Sequence, residues 1–135
     1  MQANQVDAAF AEQFVGRMSS AVKALDIGAL VDLATDDVIY DDMGADKAIV
    51  GKAEMATLLR PIWSGIEKME IRPDGVFLGV DGESIAVHWY VDVQRADNDG
   101  PMQIEMIGVY TFRDGKACRW TSAFRHMDWL GHIWP

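Results

Sequence analysis

The chain has 135 residues, half of them hydrophobic, which fits a single domain spanning 1–135. Its net charge of −9 has the wrong sign for nucleic-acid phosphates or an anionic membrane surface, so we expect neither partner. One cysteine, Cys118, excludes an internal disulfide and favours a reducing, cytoplasmic setting. The sequence has no zinc-ligand spacing, phosphate-binding glycine loop, signal peptide or membrane-length apolar run, so no metal, cofactor or membrane segment is expected.

Three helices are predicted in the first half of the chain. Residues 5–25 and 27–34 carry apolar side chains at helical spacing, and residues 52–64 repeat this pattern after Gly51. Pro61 lies near the end of the third segment, where it favours a kink.

The remaining segments predict strands and turns. Asp36-Asp37 ends the second helix, VIYDDM (38–43) indicates a short strand, and 44–50 a loop. From residue 66 the apolar period becomes two. Strands are predicted at 66–72, 76–80, 84–95, 102–112 and 117–126. Turn residues separate them: Pro73-Asp74-Gly75, Asp81-Gly82, 97–101 and Asp114-Gly115.

Helices followed by strands indicate an α+β fold in which a curved antiparallel sheet wraps around the N-terminal helices. The concave side of such a sheet can hold a pocket with a closed apolar end. The apolar tail, MDWLGHIWP, is expected to pack as a short helix or cover.

The strand SIAVHWYVDVQ (84–94) has two contrasting faces, because successive side chains point to opposite sides. One face is wholly apolar and includes Trp89. The other carries His88, Tyr90 and Asp92, and we assign it to the pocket. If Trp89 lies inside instead, the polar set faces solvent and the catalytic interpretation fails.

Five residues form the candidate catalytic set, because a carboxylate walled by apolar groups can act as a general base or acid and a tyrosine can donate to a substrate oxygen. They are Tyr40, Asp42, His88, Tyr90 and Asp92. Each has a structural alternative: the carboxylates can pair with surface cations, and the tyrosines can be core aromatics.

A second set of residues is predicted to contact substrate. It comprises Met18, Val22, Ile104, Met106, Trp120, Ser122, Phe124, His126 and Trp129.

The apolar face of the same strand would then lie on the convex side of the sheet. Val87, Trp89 and Val91 would be exposed there, and an exposed apolar sheet face usually meets a partner. We therefore expect a homodimer formed through the outer sheet face.

Three stretches carry a resemblance to a known family: VIYDDM (38–43), HWYVDVQR (88–95) and IGVYTFRDGKACRWTSAF (107–124). With the order of elements, they resemble the SnoaL-like group of the nuclear-transport-factor-2-like superfamily over nearly the whole chain. The pattern is most similar to the limonene-epoxide-hydrolase and ketosteroid-isomerase-like branch. The resemblance implies a cone-shaped roll, a scaffold that hosts isomerases, dehydratases, cyclases, epoxide hydrolases and lyases, and also non-enzymes.

The resemblance to the epoxide hydrolases is incomplete at the site. Tyr40 matches their first-strand tyrosine, and Asp42 stands at the position of their asparagine. Asp92 stands at the position of one of their two catalytic carboxylates. Tyr90 stands where they have the arginine between these carboxylates, and Ser122 stands where they have the second carboxylate. Tyrosine cannot replace the fixed charge of arginine.

The resemblance to ketosteroid isomerase is also partial. Asp42 matches the general base of that enzyme. The helix tyrosine of its oxyanion site aligns near Met18, and the protonated aspartate aligns with Gly108. A replacement oxyanion donor would have to come from Tyr40, Tyr90 or His88.

The sequence thus predicts a cofactor-free acid–base enzyme acting on a small hydrophobic, oxygenated molecule. The reaction would be elimination, isomerisation, aldol-type cyclisation or retro-aldol cleavage, including cleavage of aromatic diols with loss of formaldehyde. One alternative is an epoxide hydrolase with a rearranged site that uses Asp92. The other is a non-catalytic binding or dimerisation module.

Overall fold

The computed structural model describes residues 6–43, 47–97 and 101–126, with only the backbone at 125 and 126. The helices are α1 (Ala8–Lys23), α2 (Ile27–Val31) and α3 (Lys52–Ser64). The strands are β1 (Ala34–Asp42), β2 (Ile49–Val50), β3 (Ile66–Leu78), β4 (Ser84–Arg95), β5 (Met102–Arg113) and β6 (Lys116–His126). No helix in these ranges is long and apolar enough to cross a membrane.

Aspartates begin the first two helices. The Asp7 carboxylate accepts a hydrogen bond from the backbone N–H of Phe10 (2.9 Å), and Asp26 accepts one from Ala29 (3.0 Å). Such caps satisfy donors that the first helical turn leaves unpaired. The third helix begins after Gly51, whose φ of 110° suits glycine, and it contains Pro61.

The six strands form one curved sheet in the order β2-β1-β6-β5-β4-β3. The contacts are antiparallel except that β1 pairs with β6 in parallel. This parallel contact places Tyr40 beside Trp120 and Asp42 beside Ser122. The α+β architecture, with N-terminal helices against a curved sheet, confirms the predicted fold class.

Two of the predicted element boundaries in the first half of the chain differ from the structure, and the prediction for the tail is not tested. Asp36-Asp37 lies inside β1 rather than at a helix end, because β1 begins at Ala34 beside Ala117 of β6. Residues 49–50, predicted as loop, form β2. The predicted tail helix lies outside the described residues.

The predicted turn at residues 73–75 is instead an irregularity within β3. Pro73 pairs with Trp89 and Gly75 with His88, so Asp74 is an extra residue and the strand continues to Leu78. The aromatic ring of Phe77 covers Gly75, since a Cβ built there would lie 3.0 Å from the ring. A bulge therefore absorbs residues that are typical of turns.

The core lies between the helices and the concave side of the sheet. The apolar face of β4 points into it: Val87 and Trp89 are fully buried, and Ile85, Val91 and Val93 are almost so. On β5 the core face carries Met106, Gly108 and Tyr110. Burial of a whole apolar strand face is worth several kcal/mol, at roughly 1.5–3 kcal/mol for each large side chain.

Inside this core, Tyr110 and Trp89 form a buried polar contact. The indole N–H of Trp89 donates to the hydroxyl of Tyr110 over 3.0 Å. Both side chains are fully buried, so no water replaces this bond if it is lost. The ring of Tyr110 also packs against Phe14 and Trp120, with centroid distances of 4.9 and 5.3 Å.

Replacement of Tyr110 by Phe is therefore expected to lower the free energy of unfolding by about 1–3 kcal/mol, the usual cost of a buried donor left unpaired. Urea unfolding followed by fluorescence would measure it. The matched control is Tyr40→Phe, since Tyr40 makes no hydrogen bond to a described residue. Equal losses in both variants would contradict a stabilising role for the Trp89–Tyr110 bond.

Candidate functional site

An apolar cavity of about 110 Å³, partly open to solvent, lies between the helices and the concave side of the sheet. Six residues predicted to contact substrate form part of its wall: Met18, Val22, Met106, Trp120, Ser122 and Phe124. Tyr40, a predicted catalytic residue, also lines it. Contact of these residues with a substrate stays a prediction.

The rest of the wall was not identified from the sequence. It comprises Leu30, Met55, Leu59, Trp63, Met69, Ile71 and Val91. Met55 and Leu59 belong to the apolar stripe of α3, which indicated a core helix but not a cavity. Val91 had been assigned to the opposite side of the sheet.

Of the three remaining predictions of substrate contact, only the one for Ile104 concerns a side chain that the structure describes. Ile104 is not among the described lining residues and packs, half-buried, against the core. The side chain of His126 and the whole of Trp129 lie outside the described residues.

Two hydroxyl groups face this otherwise apolar cavity. Tyr40 is 8% exposed and Ser122 only 2%. Neither hydroxyl has a hydrogen-bond partner among the residues that the structure describes. Buried polar groups in proteins are usually paired, so two hydroxyls in one cavity wall that no described residue pairs with are suited to bind an oxygen atom of a ligand.

Asp42 lies next to these hydroxyls. It follows Tyr40 by two residues on β1 and so shares its face, and its Cα is the cross-strand partner of that of Ser122. The side chain is half-buried and is not among the described lining residues. The backbone N–H of Met43 donates to the Ser122 carbonyl (2.9 Å), which holds the two strand ends together.

Burial raises the pKa of Tyr40 to about 12, and the nearby negative charge of Asp42 adds to this effect. The phenol is consequently protonated at neutral pH and acts there as a hydrogen-bond donor rather than as a base. Burial also raises the pKa of Tyr110, although the N–H of Trp89 partly opposes the shift.

The placement of His88, Tyr90 and Asp92 in the cavity was wrong. All three lie on the convex face, because the apolar set of β4 fills the core. Asp92 keeps 42% of its side chain exposed and pairs with Arg72, Nε to Oδ2, over 3.3 Å. The five predicted catalytic residues are thus divided between two faces of the sheet, and only Tyr40 and Asp42 adjoin the cavity.

The convex-face residues form a polar network across β3, β4 and β5. His88 contacts Glu105 (Nε2 to Oε2, 2.6 Å) and Asp74 (Nδ1 to Oδ2, 3.3 Å). The guanidinium of Arg72 lies over the ring of Tyr90, 5.6 Å from its centroid. Asp92 also accepts a hydrogen bond from the Gln103 side chain (3.1 Å). The structure therefore agrees with the structural alternative stated for these residues in the sequence analysis, in which the polar side chains pair with one another at the surface.

The prediction of a dimer relied on the wrong side of β4. Val87, Trp89 and Val91 are core residues, so they are not available to a partner. The outer face instead exposes Ile107 and Val109, about half in each case, beside the polar network. A homodimer through the outer sheet face stays a prediction.

The cavity wall offers little to a metal ion or a charged cofactor. No described residue in the wall is acidic, basic or a histidine. Within the described ranges, no group of three or more His, Cys, Asp or Glu side chains is arranged to hold a metal.

Comparisons with known proteins define the class of this fold. The model of the SnoaL-like domain family matches residues 5–120, and the chain therefore belongs to the SnoaL-like family. No curated protein gave a significant match.

Solved structures show the same fold at low identity. A proposed isomerase from Bacillus subtilis superposes with a TM-score of 0.79 at 15% identity, covering 98% of this chain and 96% of that one. An LEH-like epoxide hydrolase of M. tuberculosis gives 0.69 at 22% identity, covering 87% and 84%. A protein from Catenulispora acidiphila with a ketosteroid isomerase-like fold gives 0.71 at 14%, covering 82% and 83%.

The raised pKa of Tyr40 predicts how the free energy of unfolding changes at high pH. The folded protein holds the Tyr40 proton up to pH of about 12, whereas an unfolded chain releases it near 10. This contribution to stability is complete below pH 10 and is lost as the pH rises to about 12. Urea unfolding across this range should show a smaller fall for Tyr40→Phe than for the native chain.

Ultraviolet difference spectra of tyrosinate, native chain minus Tyr40→Phe, would locate the pKa itself. Asp42→Asn should lower it, because the neighbouring negative charge is removed while burial remains. A Tyr40 pKa of about 10 in the native chain would contradict its burial in the cavity wall.

Proposed function

We propose that the protein is a cofactor-free acid–base enzyme that acts in this cavity on a small, uncharged, oxygenated molecule. The observation that carries the proposal is the pair of hydroxyls of Tyr40 and Ser122 in an apolar cavity, neither of which has a hydrogen-bond partner among the described residues, with the Asp42 carboxylate beside them. A carboxylate can take a proton from carbon, and hydroxyl donors can hold the oxygen on which negative charge develops.

The proposed chemistry is isomerisation through an enolate. A ligand carbonyl oxygen accepts hydrogen bonds from the Tyr40 and Ser122 hydroxyls. The Asp42 carboxylate removes a proton from the carbon next to the carbonyl, and the electron pair moves onto the oxygen. When the ligand has a double bond between its β and γ carbons, the enolate extends over that bond. Return of the proton from Asp42 to the γ carbon then moves the double bond into conjugation with the carbonyl, with no net gain or loss of atoms.

Elimination, aldol-type cyclisation and retro-aldol cleavage begin or end with the same enolate, so the same three groups suffice for lyase or cyclase activity. The low identity of the solved relatives gives no choice among these reactions. Cleavage of an aromatic 1,3-diol needs no enolate: Asp42 takes the proton of the terminal hydroxyl, whose carbon leaves as formaldehyde, the electrons of the broken C–C bond form a C=C bond, and the other hydroxyl leaves as water with that proton.

Epoxide hydrolysis receives less support from the geometry. Asp92, the carboxylate proposed to activate water in that alternative, lies on the convex face with Arg72 and Gln103. Ser122 stands at the position where the epoxide hydrolases have their second carboxylate, so that carboxylate is replaced by a hydroxyl group in this chain. Among the described residues, Asp42 is the one carboxylate of the candidate catalytic set that lies near the cavity.

A non-catalytic binding module is the second candidate. It is favoured by one observation: no described wall residue is a carboxylate, since Asp42 adjoins the cavity without lining it. Such a module would bind the same class of molecule without changing it.

The decisive test is turnover of a mixture of small enones, aromatic diols and epoxides, followed by mass spectrometry. Tyr40→Phe and Asp42→Asn are each expected to lower the rate about 10²–10⁴-fold, the usual contribution of a positioned acid or base. Unchanged mass with a new retention time identifies an isomerase. Gain of one water identifies a hydrolase.

Two controls separate the candidate site from the convex face. Asp41→Asn removes the adjacent carboxylate on β1, which faces the other way, and should leave the rate unchanged. A large loss of rate in Asp92→Asn would contradict the proposed site. No turnover by the native chain, with ligand binding retained, would favour the binding module.

A further inference from the structure

Tyr110 is not among the described lining residues of the cavity, but its ring packs against Trp120, which is one of them. A Cβ built on Gly108 would lie 2.1 Å from the Tyr110 hydroxyl oxygen and 2.5 Å from its Cζ, so the end of the phenol lies where a side chain at 108 would be. Met106 precedes Gly108 by two residues and lies on the same face of β5. The cross-strand partner of Gly108 is Ser122 on β6. Both Met106 and Ser122 belong to the cavity wall, which places the space over Gly108 next to the cavity.

The side chain of Tyr110 is held firmly in that space. The Trp89 N–H donates to its hydroxyl (3.0 Å), and Phe14 and Trp120 pack against its ring. Side chains in such close-packed surroundings do not move aside without cost. The Tyr110 side chain is thus fixed in the space over Gly108 and does not readily move aside.

The volume that remains is small. At about 110 Å³ the cavity lies below the roughly 300–1,000 Å³ of most ligand pockets. An apolar protein cavity of about 150 Å³ binds benzene, so the space here is comparable to that of one small ring. Since the described wall has no charged side chain, a charged ligand would lose its hydration without compensation.

We propose that Tyr110 is the residue that limits ligand size. By filling the space over Gly108 it restricts the cavity to an uncharged, oxygenated molecule of about one six-membered ring. The inference rests on the proposed function in one respect, namely that ligands bind in this cavity. A smaller residue at 110 joins the space over Gly108 to the cavity and admits a longer molecule.

Calorimetric titration with two ketones tests this inference without reference to turnover. Cyclohexanone has one ring and tetralone has two fused rings. The native chain should bind cyclohexanone and bind tetralone at least about tenfold more weakly. Tyr110→Leu should bind tetralone at least about tenfold more tightly than the native chain does, because the second ring then buries its apolar surface.

Phe112→Leu is the matched control. Phe112 is a buried aromatic residue on the same face of β5, and it contacts Phe10 and Phe14 rather than the space over Gly108. Its replacement loosens the same core and should give no gain in tetralone binding. An equal gain in Phe112→Leu would overturn the inference, since general loosening would then explain the result.

Tyr110→Phe provides a test if Tyr110→Leu does not fold. Only the hydroxyl over Gly108 is lost, while the ring and its packing stay. This variant should bind methylcyclohexanone more tightly than the native chain does, with little change for cyclohexanone. No gain, or tight binding of tetralone by the native chain, would overturn the inference.

The two proposals can fail separately. If the ketones bind as expected but Tyr40→Phe and Asp42→Asn leave turnover unchanged, the size limit stands and the proposed function fails. If those variants abolish turnover while Tyr110→Leu gains no affinity for tetralone, the proposed function stands and the size limit fails.

Discussion

Burial of the apolar face of β4 is the constraint on which the arrangement of this protein depends. Five alternate residues of that strand are apolar, and Val87 and Trp89 have no exposed surface at all. Because side chains alternate, this burial sends the polar set of β4 to the convex side. Pairing of β4 with β5, and of β5 with β6, then brings Met106 and Ser122 to the concave side, where the cavity forms.

The sequence predicts which residues share a face better than it predicts which face lies inside. Alternation in 84–94 separates the apolar set from the polar set correctly. The prediction that the polar set faces the pocket was wrong, because it relied on the possible catalytic roles of Asp92 and its neighbours rather than on the burial of apolar side chains. The free energy of burying Trp89 and four aliphatic side chains exceeds any contribution from surface ion pairs such as Asp92–Arg72. A burial argument alone would have assigned the faces correctly.

Local sequence patterns predict most helices and strands correctly. They fail where the structure of a segment depends on its pairing with a strand that is distant in the sequence. The helix predicted at 52–64 has the observed bounds, because its apolar period and Gly51 are both local signals. Residues 73–75 have turn composition, yet cross-strand pairing with β4 keeps them in β3 as a bulge. Strand parity predicts that Tyr40 and Asp42 share a face of β1. The contribution of Met55 to the cavity depends instead on how α3 packs against the sheet.

The position of Asp42 at the side of the cavity is consistent with the electrostatics of acid–base chemistry. A carboxylate inside an apolar space of about 110 Å³ would lose most of its hydration. Half-buried beside Ser122, Asp42 keeps part of that hydration, and its charge still reaches Tyr40 and helps to keep the phenol protonated. The neutral phenol of Tyr40 and the Asp42 side chain thus lie side by side, as the proposed roles of donor and base require.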